Sequence, residues 1–71
     1  MKNDEKFNKR LGGWLRQLRL NRELSQKELG AVVGMHRNTM ARYEAGNPMP
    51  LFAFLRICEK LEVEPAEVLK W

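Results

Sequence analysis

The 71-residue sequence has one cysteine, one histidine and no long run of apolar residues. The single cysteine, Cys58, cannot form a disulfide within the chain, which fits a protein of the reducing cytoplasm. No stretch approaches the roughly 20 consecutive apolar residues that a membrane-spanning helix needs. The charged opening MKNDEKFNKR also lacks the apolar segment of a secretory signal. These absences predict a soluble, cytoplasmic protein.

The sequence provides little for enzyme chemistry. With one histidine and one cysteine, it offers no combination of nucleophile, base and orienting group. It has neither the ligand spacing of a zinc site nor a glycine-rich phosphate loop. We therefore expect no catalytic residues, no metal and no cofactor.

Charge is present in excess and unevenly placed. Up to Gly46, ten Lys or Arg stand against five Asp or Glu, a balance of +5; from Asn47 onward three stand against four, a balance of −1. This asymmetry favours a polyanionic partner, either nucleic acid or an anionic membrane surface. The alternative is a soluble protein that is merely basic. Because the basic residues are interleaved with acidic ones, the membrane surface is the weaker candidate.

Hydrophobic periodicity predicts a helix near the start of the chain. Apolar residues recur at the i, i+4, i+7, i+8 spacing of an amphipathic helix, namely Phe7, Leu11, Trp14, Leu15 and Leu18. Gly12 and Gly13 lie in its middle, where each costs roughly 1 kcal/mol relative to alanine. These glycines either permit the close approach of another backbone or simply weaken the helix.

Capping signals predict a second and a third helix. Ser25 and Glu28 form an S-x-x-E capping box, in which each side chain accepts a hydrogen bond from the backbone N–H of the other residue. Gly34 is suited to end this helix in the left-handed conformation. A third helix, from about Arg37 to Ala45, must follow almost at once. A short helix, a glycine turn and a polar-faced helix constitute the helix-turn-helix unit.

The third helix is predicted to separate core residues from hydrogen-bonding ones. Met40 and Tyr43 are expected to face the core. The exposed side carries residues that suit a major groove, namely Arg37, Asn38 and Arg42, with Thr39 beside them and His36 at the threshold. Arginine can pair with guanine, asparagine with adenine, and threonine can contact a base edge or the thymine methyl group. The alternative is an ordinary solvated helix face, with the histidine only capping the helix.

The C-terminal third predicts two further helices. The first places Phe54, Ile57, Cys58 and Leu61 on one face, so that Cys58 is expected to be a small buried hydrophobe rather than a reactive thiol. Pro65 suits the first turn of the last helix.

The segment SQKELGAVVGMHRNTMARYEAG, residues 25–46, resembles the helix-turn-helix of the Cro and phage-repressor family, also called XRE-like regulators. Three motifs carry the resemblance: Q-x-E-L at the start of the second helix, glycine at the turn, and E-x-G at the end of the third. The similarity extends from about Leu11 to Leu69. It implies an all-α, compact five-helix lambda-repressor-like fold, with residues 1–71 as a single domain, the helix-turn-helix at about 25–46 and C-terminal helices at about 51–71.

The resemblance also implies a function and assigns roles to residues. It predicts a sequence-specific DNA-binding regulator, which we take to be a repressor that binds an inverted repeat of double-stranded DNA as a homodimer. Base contacts fall to Arg37, Asn38 and Arg42, with His36 and Thr39 contacting a base or a phosphate. Gln26 matches a residue that contacts phosphate and braces the third helix. Arg19 and Glu44 match a largely buried ion pair.

The loop after the third helix departs from the family pattern. It reads NPMPLF, residues 47–52, where relatives often carry basic residues, and Asn47 is its only polar candidate for a phosphate contact. Three explanations stay open: binding is weaker there, or Lys27, Arg10 and Arg16 supply the phosphate contacts, or the apolar loop contacts a protein.

The end of the chain carries the dimer candidates. In the resembling family the last helix helps to join two subunits, which points to Val68, Leu69 and Trp71. The alternative is that these residues cap the monomer's own core.

A function of another class is an antitoxin-type module that binds a toxin and represses its own operon. The apolar loop and Trp71 would then contact the toxin. RNA binding has less support, because no stacking aromatic residues lie on the basic face.

Overall fold

Five helices joined by short turns make up the described chain. The computed structural model describes residues 2–70, with side chains from Asp4 onward, and no strand occurs in that range. The helices are α1 (Lys2–Asn21), α2 (Gln26–Val33), α3 (Arg37–Glu44), α4 (Leu51–Lys60) and α5 (Pro65–Val68). The predicted all-α, five-helix architecture is therefore confirmed. None of the helices in residues 2–70 is both long enough and apolar enough to cross a membrane.

The core has two adjoining parts, and α4 contributes to both. The larger part lies between α1, α2, α3 and α4 and consists of Leu15, Leu29, Val33, Met40, Tyr43, Ala53, Ile57 and Leu61. The smaller part holds Leu11, Phe54, Cys58 and Val68. Trp14 packs against both, with its ring centroid 5.5 Å from that of Phe54. Cys58 is buried as predicted, and burial raises the pKa of its thiol.

The two adjacent glycines of α1 have different surroundings. A Cβ atom at Gly12 would overlap the backbone carbonyl oxygen of Tyr43, whereas one at Gly13 would meet no atom within 4 Å. Gly12 therefore permits α1 to lie directly against the C-terminal end of α3. Gly13 has no such role and only weakens the helix.

Of the two C-terminal helices predicted within residues 51–71, the second is short. It forms a single turn, and of its four residues only Val68 is buried, so little packing supports a longer helix. Val68 is buried in the monomer's own core, which favours for this residue the alternative to a dimer contact. Leu69 is 45% exposed and stays a dimer candidate. Trp71, the third candidate, lies outside the described residues.

Candidate nucleic-acid interface

A complete capping box starts α2. The Ser25 hydroxyl accepts from the Glu28 backbone N–H at 3.0 Å, and the Glu28 carboxylate accepts from the Ser25 N–H at 2.8 Å. These bonds lower the pKa of the Glu28 carboxyl, chiefly through the backbone N–H of Ser25. The capping box that the sequence predicted thus fixes the first turn of α2, which carries Gln26 and Lys27.

The turn between α2 and α3 depends on two glycines. Gly34 has a φ of 74°, the left-handed conformation predicted for it, and the next N–H, of Met35, donates to the Gly30 carbonyl at 2.8 Å. A Cβ at Gly30 would overlap the Met35 carbonyl oxygen. Gly30 was not predicted to matter to this turn, although a glycine inside an amphipathic helix often marks a close approach. Together these glycines allow only three residues to separate the end of α2 from the start of α3.

His36 caps the N-terminal end of α3. Its Nδ1 atom accepts from the Asn38 backbone N–H at 3.0 Å, and its backbone is extended, with φ −69° and ψ 146°. The side chain is nevertheless exposed. His36 therefore caps α3, as one of the two interpretations of the sequence expected, and the rest of its ring is available to solvent.

The faces of α3 are divided as the sequence predicted. Met40 is fully buried and Tyr43 is nearly so. Arg37, Asn38 and Arg42 are exposed, and Thr39 is half-buried. Within residues 4–70, no hydrogen bond or ion pair engages the side chains of Arg37, Asn38 or Arg42. The exposed face thus presents side-chain donors that make no hydrogen bond or ion pair with other side chains or backbone groups of residues 4–70.

A buried ion pair fixes the other end of α3. The Arg19 guanidinium donates to both Glu44 carboxylate oxygens, at 2.7 Å from Nε and 3.0 Å from Nη2, and the two side chains are only 10% and 4% exposed. The hydrogen bond to Glu44 raises the pKa of Arg19. Arg19 Nη1 also donates to the Leu24 carbonyl at 2.9 Å. The ion pair therefore joins α1, the following turn and α3.

Gln26 links α2 to this ion pair. Its Nε2 atom donates to Glu44 Oε1 at 3.2 Å, and the side chain is half-buried. Because an ionised carboxylate only accepts hydrogen bonds, the amide must present its nitrogen to Glu44. Gln26 thus braces α3, the second of the two roles that the resemblance assigned to it.

Shallow depressions on either side of α3 bring several of the candidates together. One is lined by Lys27, Ala31, Met35, His36 and Arg37. The other is lined by Thr39, Arg42, Tyr43, Asn47, Pro48 and Pro50. Arg10 and Arg16 are exposed on α1 and line neither depression. In the second depression, Asn47 Nδ2 donates to the Arg42 carbonyl at 3.0 Å, so this amide caps the helix end.

One hydrogen bond between distant segments was not predicted. Arg22 Nη2 donates to the Leu61 carbonyl at 2.8 Å, which connects the end of α1 to the end of α4. No sequence signal could have found it, because it depends on where two chain segments 39 residues apart meet. Among the described residues, no group of three or more His, Cys, Asp or Glu could hold a metal ion.

Known proteins match this chain over most of its length. Residues 10–71 match the family described as a helix-turn-helix domain. A protein of Methanospirillum hungatei, provisionally named an HTH-type transcriptional regulatory protein, is 39% identical over 62 residues, which cover 83% of this chain and 20% of the relative. The chain thus spans about a fifth of that relative's length.

A solved structure matches as well. The crystal structure of the restriction-modification controller protein C.AhdI from Aeromonas hydrophila has a TM-score of 0.82 to this chain at 29% identity, and the match covers 90% of this chain and 98% of that one. The family match, the relative and the shared fold agree with the helix-turn-helix geometry of α2 and α3. The chain belongs to the helix-turn-helix family of DNA-binding transcriptional regulators, in agreement with its resemblance to XRE-like proteins.

Proposed function

We propose that the chain is a sequence-specific repressor that binds an inverted-repeat operator as a homodimer, with α3 in the major groove. The main support for this proposal is the separation of buried and exposed residues on the two faces of α3. Met40 and Tyr43 are buried, while Arg37, Asn38 and Arg42 are exposed and without intramolecular side-chain partners among residues 4–70. Such donors on a rigidly held helix suit the recognition of an external acceptor.

The assignment of base contacts follows from the position of each side chain on α3. Arg37 and Asn38 lie in its first turn, the part of a recognition helix that meets base edges. Arginine can bind guanine O6 and N7, and asparagine can bind adenine N6 and N7. Arg42 and the half-buried Thr39 share a depression one turn further along. We assign these four residues to base reading, with His36 beside them.

Phosphate contacts are assigned to residues around this face. Lys27 is exposed at the start of α2, where helix N–H groups also favour an anion. Gln26 retains a second amide hydrogen beyond the one given to Glu44. Arg10 and Arg16 add positive charge from α1. Asn47 is the weakest member, because its side-chain amide already donates to the Arg42 carbonyl.

The homodimer is supported by an exposed apolar face on the C-terminal helices. Leu51 and Phe52 are 68% and 62% exposed, and Leu55 and Leu69 are each 45% exposed. Leu51 and Leu69 line one apolar groove, together with Phe7, Leu11, Met49 and Phe54. The chain measures 31 × 24 × 21 Å. In the proposed complex the two α3 helices would lie at about the 34 Å spacing of successive major grooves.

Repression is the simplest consequence of such binding. A dimer seated on promoter DNA would exclude polymerase by occupying the same site. The similarity to a restriction-modification controller protein and to a relative named for transcriptional regulation supports a regulatory role.

The decisive experiment is the selection of bound duplexes from a random DNA pool at near-physiological salt. We expect enrichment of an inverted repeat with half-site centres about one helical turn apart. Arg37→Ala should relax the preference at one position of each half-site and cost about 1–3 kcal/mol of binding free energy. The matched control is Lys60→Ala, which removes one exposed positive charge from α4 and should leave the selected sequence unchanged.

Other outcomes of the selection would count against the proposal. If Arg37→Ala weakened binding equally on all sequences, its assignment to base reading would be wrong. If DNA were retained but no sequence enriched, the antitoxin-type function would gain support, since the exposed Phe52 and Leu51 would then be better explained by a protein partner. Copurification of a single stoichiometric protein from the native host would test that alternative.

A further inference from the structure

Among residues 4–70, the histidine at the start of α3 uses only one of its two ring nitrogens. His36 Nδ1 accepts the Asn38 backbone N–H at 3.0 Å. The His36 carbonyl oxygen accepts from the Thr39 and Met40 N–H groups at 2.9 and 3.3 Å. These bonds hold the backbone of His36 at the helix start and its ring against the first turn.

The capping bond determines the protonation pattern of the ring. A neutral imidazole has one nitrogen that donates and one that accepts. Because Nδ1 accepts a backbone N–H, it carries the lone pair, and the proton of the neutral ring must be on Nε2. Nε2 is on the side of the ring away from Nδ1, and no partner for it occurs among residues 4–70.

His36 shares a depression with two cationic residues. The depression is lined by His36, Lys27 and Arg37, and its other lining residues, Ala31 and Met35, offer no charge. A ligand that enters this depression meets positive charge from Lys27 and Arg37 beside the histidine. The depression therefore favours an anionic or acceptor-rich surface, such as the edge of a DNA duplex.

We infer that His36 is a donor-only DNA contact: its Nε2–H donates to an acceptor on DNA, and the capping bond prevents the ring from accepting there. The inference rests on the proposed function of α3. The acceptor is either a base atom in the major groove, namely purine N7, guanine O6 or thymine O4, or a phosphate oxygen. The amino groups of adenine and cytosine are excluded as partners, because they can only donate.

The ring protonation can be measured without DNA. His36 is the sole histidine, so its two ring nitrogens are the only imidazole signals in a nitrogen-15 NMR spectrum of the uniformly labelled protein. At alkaline pH we expect the pattern of a neutral ring protonated at Nε2. A ring protonated at Nδ1, or an even mixture of the two forms, would overturn the inference whatever the protein binds.

Two variants separate the cap from the outward donor. His36→Ser retains a capping side chain but has no outward donor of comparable reach, whereas His36→Ala lacks both. We expect His36→Ser to melt close to the wild-type temperature and to bind the selected operator about three- to tenfold more weakly, the range of one lost hydrogen bond. His36→Ala should show a similar binding loss and a lower melting temperature.

The distribution of the binding loss identifies the acceptor. A loss confined to operators with one particular base at one position of each half-site assigns the bond to that base, and an equal loss on all sequences assigns it to a phosphate. Unchanged affinity and preference in His36→Ser would overturn the donor role. If the wild-type chain enriched no operator at all, the proposed function would fail, while the NMR result would still test the ring protonation.

Discussion

At the scale of single residues, the packing of α1 against α3 depends on the absence of one methyl group. Gly12 lies where a Cβ would overlap the Tyr43 carbonyl oxygen, and Gly13 faces open space. Gly12→Ala should lower the free energy of unfolding by about 1–3 kcal/mol, because the helices must move apart. Gly13→Ala should raise it by about 0.5–1 kcal/mol, since alanine restricts the unfolded chain and favours the helix.

Urea denaturation of the two variants measures this difference directly. The substitutions are chemically identical and adjacent, so each is the control for the other. Equal effects of the two alanines would show that the approach of α1 to α3 is not fixed by Gly12.

The ion pair between Arg19 and Glu44 should be far more costly to break than an exposed one. Glu44→Ala leaves the guanidinium, only 10% exposed in the folded chain, with the Leu24 carbonyl as its main partner. We expect a loss of about 3–5 kcal/mol, as for other buried charges left without a counter-ion. Glu44→Gln retains acceptor oxygen and should lose less. Chemical denaturation of both variants provides the measurement.

The chain contains a matched exposed pair as a control. Lys70 and Glu67 form an ion pair at 2.9 Å with side chains 70% and 67% exposed. Glu67→Ala should change the free energy of unfolding by less than about 1 kcal/mol. If Glu44→Ala were no more costly than Glu67→Ala, the buried pair would not be holding α3 in place.

At the scale of helices, the capping box of α2 makes part of the stability pH-dependent. The pKa of Glu28 is lowered in the folded chain by the Ser25 N–H, so the unfolded chain binds the proton more readily. The contribution is therefore present above the unfolded pKa of about 4.3 and is lost as pH falls through the lower folded value. Glu28→Gln retains an acceptor for the Ser25 N–H but cannot titrate, and we expect its stability to fall less steeply below about pH 4.5.

Melting curves between neutral pH and about pH 3 compare the slopes of the two proteins. Ser25→Ala serves as a second variant, because it removes the other half of the box and should cost about 1 kcal/mol even at neutral pH. Parallel acid profiles for the wild type and Glu28→Gln would rule out Glu28 as a contributor to acid sensitivity.

Helix ends that are set by residues nearby in the sequence could be predicted, whereas features set by contacts between distant residues could not. The start of α2 and its end at Gly34 follow from signals within ten residues, and both were predicted correctly. Glu23 and Glu62 have positive φ values of 57° and 55°, positions where glycine is the usual residue, and nothing in the sequence marks them. The burial of Val68 likewise depends on contacts with α1 and α4 that are distant in sequence.

The same distinction applies to the candidate interface. The exposed and buried faces of α3 follow from its helical period, so they could be read from the sequence. Glu44 accepts a third hydrogen bond, from Gln26, and this bond depends on how α2 meets α3. The resemblance implied that Gln26 braces α3, but only the structure identifies Glu44 as the acceptor. The orientation of the His36 ring likewise came only from the structure, because the sequence does not say which ring nitrogen accepts the Asn38 N–H.

At the scale of the whole molecule, the excess positive charge and the most exposed large apolar side chains of the described residues belong to different parts of the chain. The excess of positive charge lies before Asn47, in the part that includes α2 and α3. Leu51 and Phe52, 68% and 62% exposed, belong to the part that follows, whereas Phe7, Leu20 and Val32 of the earlier part are each less than half exposed. This distribution suits a protein that meets DNA with one surface and its own copy with another.

The charged surface predicts a salt dependence that can be assigned to residues. Each phosphate contact adds about 0.9 to the slope of log affinity against log salt concentration, because a condensed counter-ion is released. Lys27→Ala should weaken binding on all sequences and reduce that slope by about 1 per monomer. Lys60→Ala removes the same charge from α4 and should leave the slope unchanged. An unaltered slope in Lys27→Ala would remove this residue from the phosphate contacts.

The apolar surface predicts that stability depends on protein concentration. A chain of 71 residues buries only about 60% of its unfolded surface, so dimerisation should add measurably to its stability. Leu55→Glu places a charge on the proposed dimer face and should yield a monomer by sedimentation, with a melting temperature independent of concentration. Leu20→Glu is the matched control, because Leu20 on α1 is 46% exposed against 45% for Leu55, and it should remain dimeric. If the wild type were monomeric at all concentrations and on DNA, α4 and α5 would not form the dimer contact, and each operator half-site would have to be bound by an independent copy.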